Sequence, residues 1–348
     1  MIDFRYHLVS IVAVFLALAI GIVLGSTALQ GDTLDVLRSE NNSLTDQLNN
    51  ANAQRNNYSQ LEGASEAFLQ TAEPKLLSGM LTGDKIVLVT EPGAPSSITD
   101  GVQKAAAYAG ATITGTIALQ PKFNDLSGTT KSTLSAINEQ LAATDGAVFD
   151  SATDQQTVYQ QEAAQLIGTA VLNLTAGQLG LTVPQAQTLL SAYAKAGFLT
   201  TGGAPWDRAT LAVIVAPQTA PSDGPNDPAN LVLLALTAEF AGQSTATVVA
   251  GPVTSSASSS SAIAVLRGSS VSGQVSSVDN ADKTLGQIST IWALADQQAG
   301  GKPNSYGISG ASAVSPSVPS PAPSPTPTAT STPTSKATGG VKKTVKTK

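Results

Sequence analysis

An α/β domain standing behind one N-terminal membrane helix and a short coiled coil is the architecture this sequence predicts. Three observations predict it. From Leu8 to Leu24 the chain is apolar except at Ser10 and Gly21. Leucines then recur at heptad spacing from Leu34. Between Lys85 and Gln298, strand-like apolar runs alternate with helical patterns, the order that builds a mostly parallel sheet with helices on both faces.

Composition narrows the chemistry. The chain has 348 residues, of which 12% are charged and 4% aromatic, so it is not a highly charged disordered protein. With no cysteine, one histidine and two methionines, disulfide frameworks, zinc fingers, cysteine nucleophiles and serine-histidine triads with a globular histidine are excluded. The formal charge is −6. Five of the 18 basic residues, Lys336, Lys342, Lys343, Lys346 and Lys348, lie at the C-terminal end, leaving thirteen against 24 acids, or −11, in residues 1–335. Nucleic acid is therefore not an expected partner, and no cofactor is expected.

The first element is a signal sequence or a signal anchor. Its apolar run sits at the lower edge of the roughly 17–25 residues that span a bilayer. Arg5 precedes it and the acids Asp32 and Asp35 follow, which orients residues 1–7 to the cytoplasm and everything beyond the span, taken as 8–28, outside it. Ser26-Thr27-Ala28 offers a small-x-small cleavage pattern. The run is longer than an ordinary signal core, so a retained anchor is expected. His7, at the membrane edge, reads as an interfacial side chain.

Residues 29–73 read as a coiled coil with Leu34, Asn41, Leu48 and Arg55 at a positions and Leu37, Leu44, Ala51 and Tyr58 at d positions. The flanking residues are Ser, Asn, Gln, Asp and Glu, so such a helix buries nothing alone. Asn41 at an a position favours a parallel pair in fixed register. The other reading is an amphipathic helix lying back on the protein's own domain. Gly63 and Glu73-Pro74 are expected to end the helix.

An extracytoplasmic α/β domain is expected over 74–308. Its strands are 85–90, 111–119, 211–215 and 245–250; its helices are 98–108, 131–144, 157–172, 184–196, 229–240, 261–266 and 283–298. The strands are continuously apolar, as burial on both faces requires. A ligand in such a fold sits at the carboxyl ends of the strands, where Glu91, Asp223, Asp227, Asp279 and Asn280 are the candidates. Asp223 and Asp227 lie in a Pro/Gly loop without the spacing of a calcium loop. Gly93 and Gly251 follow strands but belong to neither dinucleotide nor phosphate-loop patterns. No spacing selects a carboxylate pair, so no catalytic residue is named. From Ser309 to Lys348 the composition predicts a disordered, extended tail, whose lysines either rest on anionic wall polymers or lipid or stay solvated with no fixed partner.

Arg5-Tyr6-His7-Leu8-Val9-Ser10 running into Phe15–Ser26, then the coiled coil, then Val278-Asp279-Asn280-Ala281-Asp282 and a helix ending before Tyr306-Gly307, resembles the actinobacterial MctB family over about residues 1–307. Its members are called copper transport outer membrane proteins, and the related SteB proteins act in the cell envelope with a partner, SteA. The resemblance implies a single-pass envelope protein linked to copper homeostasis or to cell-wall assembly, in the cell membrane or, as the family name has it, the outer membrane. The residues themselves offer little to Cu(I), which prefers thiolate, thioether or imidazole; besides Met1 there are only Met80 and His7. Nor does α/β alternation fit a transmembrane barrel.

Three functions are thus carried forward. The first is a non-enzymatic assembly or docking protein, forming a homodimer or joining a SteA-like partner through Leu34, Leu37, Asn41, Leu44, Leu48, Ala51 and Tyr58. The second is an oligomeric conduit for copper or small solutes. The third is an envelope hydrolase built on an unrecognised carboxylate site.

Overall fold

The computed structural model describes residues 4–145, 149, 156–173 and 181–318, with side chains for all of these except 27–34 and 144–145. By internal contacts the chain divides after Thr71 into two units. The described residues of the first are all helical, part of the long helix α1, Phe4–Leu77. Residues 4–26 of α1 include an 18-residue stretch of mean hydropathy 2.9, and the segment is long and apolar enough to cross a membrane.

α1 does not stop where sequence signals place its end. It passes Gly63 and takes Pro74 into its last turn. An interior glycine costs only about 1 kcal/mol and proline about 3 kcal/mol, and burial offsets the second. Glu73 and Leu77, four residues apart on one helical face, are completely buried in the second unit. The Glu73 carboxylate pairs with Lys104 Nζ at 3.3 Å, and the Trp292 indole donates to the Leu76 carbonyl at 3.4 Å.

The second unit is an α/β domain. In chain order it comprises β1 (Lys85–Thr90), α2 (Ser96–Ala109), β2 (Thr112–Leu119), α3 (Gly128–Asp145), α4 (Val158–Val171), α5 (Val183–Lys195), β3 (Leu199–Gly203) and β4 (Leu211–Val215), followed by α6 (Pro228–Gln243), β5 (Ala246–Ala250), α7 (Ala262–Arg267), β6 (Ser276–Val278), α8 (Thr284–Gln298) and β7 (Ser305–Tyr306). The seven strands form one sheet in the order β3-β2-β1-β4-β5-β6-β7. All neighbours are parallel except β3, which runs antiparallel to β2.

Strand composition explains the layering. Ile86 to Val89 of β1 and every residue of β4 and β5 are buried, so both faces must be covered. Val87, Val89, Ala212, Ile214 and Val249 point into the core made with α4, α5, α6 and α7. Alternate residues such as Ile86 and Leu88 then face the opposite side, where α2 packs against α8. Helix ends are set locally: Thr182 and Gln185 make a capping box on α5, Asp227 accepts the Ala229 N–H to cap α6, and Gly110 closes α2 in the left-handed region at φ 84°.

β3, β6 and β7 were not foreseen. β3 reads LTTGG and four of its five residues are exposed, so it carries no apolar signal. β6 and β7 have three and two residues, too short for any pattern. The predicted start of the tail also shifts. Ser309 to Ala313 are hydrogen-bonded to the domain, with Gly307 N donating to Ala313 O at 3.0 Å and Ser309 N to Asp279 at 3.1 Å. Residues 319–348, including the lysines, lie outside the described residues.

Candidate functional site

The connection after β1 leads outward to β2, while β4 continues the sheet in the other direction, so the strand order reverses between β1 and β4. In an open parallel sheet this switch point, at the carboxyl ends, is where the topology leaves a crevice. Glu91 is the first residue beyond β1 and occupies it. Its N–H donates to Val215 O at 3.0 Å, tying the end of β1 to β4, and its carbonyl accepts the Ala94 N–H. Gly93, at φ 84°, brings the turn against Pro217, and its carbonyl accepts the Gln218 N–H at 3.1 Å. The two loops therefore close over the switch point.

The Glu91 side chain is buried. One oxygen, Oε2, accepts from Asn124 Nδ2 at 3.4 Å, while Oε1 and the likewise buried Asn124 Oδ1 have no partner among the described residues. Burial pushes the Glu91 carboxyl up to about 7, the Asn124 hydrogen bond opposing it. Asn124 comes from the turn after β2, Pro121–Asn124. That contact was invisible in the sequence, which shows only a Pro-Lys-Phe-Asn turn after a strand.

Asp279 follows β6 on the same edge of the sheet, three strand positions from β1, or about 14 Å at ordinary strand spacing. Its carboxylate is fully engaged. Arg267 Nη1 donates to Oδ2 at 2.8 Å, Ile308 N to Oδ1 at 2.8 Å and Ser309 N to Oδ2 at 3.1 Å. Arg267 also donates to Ser277 Oγ, Tyr306 O and Ser309 O. Gly307, at φ 130°, lies so close that a Cβ there would collide with the Asp279 carboxylate. The Val-Asp-Asn and Tyr-Gly segments, far apart in sequence, thus form one buried clamp around Arg267. Arg267, at the end of the apolar stretch AIAVLR in a charge-poor chain, was the available hint.

Asn280 packs its carbonyl against Gly286 of α8, where any Cβ would meet it, and its Oδ1 has no partner. Asp227 is an α6 cap and Asp223 accepts the Ser222 hydroxyl. Glu91 and Asp279 are therefore not brought together. A carboxylate pair for glycoside hydrolysis needs a separation of about 5–9.5 Å. Among the described residues no group of three His, Cys, Asp or Glu side chains could hold a metal, and the donor set does not suit Cu(I) as bound cargo.

On α1, Leu37, Leu44 and Leu48 are 55%, 63% and 61% exposed, and Asn41, Ala51 and Tyr58 are exposed with them. The Leu34 side chain lies outside the described residues.

The order of features, apolar helix, long helical stem, clamp of Asp279 and Gly307, extends over most of the chain, and so does its similarity to known proteins. Residues 1–316 match the family model described as copper transport outer membrane protein, MctB. The chain belongs to the MctB family. It is 32% identical over 313 residues to the copper transporter MctB of Mycobacterium tuberculosis and of Mycobacterium bovis, covering 88% of this chain and 96% of each relative. To the copper transporter MctB of Mycobacterium leprae it is 30% identical over 325 residues, 92% of this chain and all of the relative. The match to the MctB model ends at residue 316, just beyond the segment held by the clamp, and leaves out the Pro-rich tail.

Proposed function

We propose that this MctB-family chain is a non-enzymatic envelope protein that acts by assembly. The N-terminal helix holds it in a membrane with the α/β domain outside the cytoplasm, and α1 pairs with a second copy or with a helix of an envelope partner. The observation that carries this reading is the row Leu37, Leu44 and Leu48, exposed on a continuous helix. Apolar residues at heptad spacing on an otherwise polar helix gain nothing until a partner covers them.

Crosslinking in the membrane tests it. Cysteines placed at Leu37 or Leu44 are expected to form disulfide dimers, while cysteines at Ser39 or Gln47 are not. Equal crosslinking at Leu37 and Ser39 overturns pairing through this face. Capture of a partner by the Leu face alone replaces self-pairing with a mixed helix pair. Orientation follows from Arg5 on one side of the span and Asp32 and Asp35 on the other. Single cysteines at Ser43 and Ser222 should label with an impermeant maleimide in intact cells; labelling only after lysis reverses the topology.

The names of the relatives favour a second reading, an oligomeric conduit for copper or small solutes. Elemental analysis of the purified protein and conductance in planar bilayers separate the two. Stoichiometric copper or reproducible channels would place transport first.

A further inference from the structure

Two buried acceptors at the switch point, Glu91 Oε1 and Asn124 Oδ1, have no partner among the described residues, while the other atoms of the same two groups are joined by the Asn124 Nδ2 to Glu91 Oε2 hydrogen bond. An amide facing a carboxylate can satisfy only one such atom, because both remaining atoms are acceptors. A proton on Glu91 resolves both.

We propose that Glu91 is held as the neutral acid and that its O–H donates to Asn124 Oδ1, completing a two-hydrogen-bond ring that latches the end of β1 to the end of β2. Ionisation removes the donor, leaves Asn124 Oδ1 unsatisfied and strands a charge in the protein, so the latch opens as the proton leaves. This goes beyond the assembly reading and does not depend on it.

Among the described residues no charge compensates an ionised Glu91. Its own loop, Pro92 to Pro95, is uncharged. Beside Asn124, the Lys122 ammonium turns to the Ala196 carbonyl and the Phe198 ring, and the Asp125 carboxylate to Ser127 and Thr130. Beyond β4, Pro217 and Gln218 are uncharged, Asp223 bonds Ser222 and Asp227 caps α6. On α6, Glu239 accepts from Gln161; on α2, Asp100 is exposed and Lys104 is paired with Glu73.

The sign follows from linkage. The folded state holds this proton up to about pH 7, against 4.5 for an ordinary glutamate. The stabilisation is complete below pH 4.5 and is lost as pH rises through 7, the unfolding constant gaining about tenfold per pH unit and about 300-fold across the window. Glu91→Gln is the isosteric test, since its amide reproduces the ring without a proton. In full-length protein in detergent micelles, urea unfolding of Glu91→Gln should match the parent near pH 4.5 and be up to about 300-fold less unfolded than the parent above pH 7. The unmutated protein supplies a second measurement: amide exchange at residues 91–94 and 121–124, corrected for intrinsic rates, should accelerate between pH 5.5 and 8. Equal destabilisation of Glu91→Gln at both pH values, or an exchange rate in these loops that does not change with pH, overturns the latch.

Discussion

Asp279→Ala is expected to cost the α/β domain about 3–5 kcal/mol. Asp279 is fully buried and its Arg267 partner is 11% exposed. Removing the carboxylate leaves a guanidinium in the interior without a counter-charge and leaves the N–H groups of Ile308 and Ser309 without acceptors. Breaking one side of a buried pair is costly because the other charge stays desolvated, whereas removing both sides together is far milder. The double variant Arg267→Met, Asp279→Leu should therefore recover part of the loss, which a double-mutant cycle by urea unfolding will read. Limited proteolysis supplies an independent readout: in Asp279→Ala the chain should become cleavable between Tyr306 and Pro316 before the rest of the domain unfolds. Stability within about 1 kcal/mol of the parent would mean that the clamp contributes no more than an exposed pair does.

On the assembly reading proposed above, replacing Leu37, Leu44 and Leu48 together by alanine is expected to abolish association through α1. Each leucine lost from a buried seam costs about 2–5 kcal/mol, and a frayed helix halves that. Confinement in a membrane raises the effective concentration of the helices, so the effect is to be read there, as loss of energy transfer between labelled copies in vesicles, rather than in dilute solution. Asn41→Leu should act in the opposite direction, strengthening association while loosening register, because a paired amide tolerates fewer alignments than leucine. Unchanged energy transfer in the triple alanine variant would move the contact to another face of α1.

Family, fold class and the main elements were legible in the sequence because they rest on local and periodic signals. A long apolar run needs only composition to declare itself. The central strands β1, β4 and β5 sit in the middle of the sheet and are buried on both faces, which demands the continuous apolar runs that mark them. Helices with caps or apolar periodicity were likewise placed to within a few residues of their observed ends.

What the sequence left open was decided by contacts between distant segments. β3, β6 and β7 are short or exposed and exist because a neighbouring strand supplies their hydrogen bonds, a property of the partner rather than of their own residues. α1 runs through Gly63 and Pro74 because Glu73 and Leu77 are buried in the domain, a gain that no local propensity reports. Glu91 and Asp279 look alike as acids at strand ends, yet one meets an amide and no charge while the other meets Arg267 and two backbone N–H groups. Sequence alone determined which residues could ionise and where the apolar span, the domain helices and the central strands lie. Only the tertiary structure decided which acid is paired and which is left to hold its proton, because that depends on the dielectric and the partners brought to it by strands that are neighbours in the sheet and strangers in the chain.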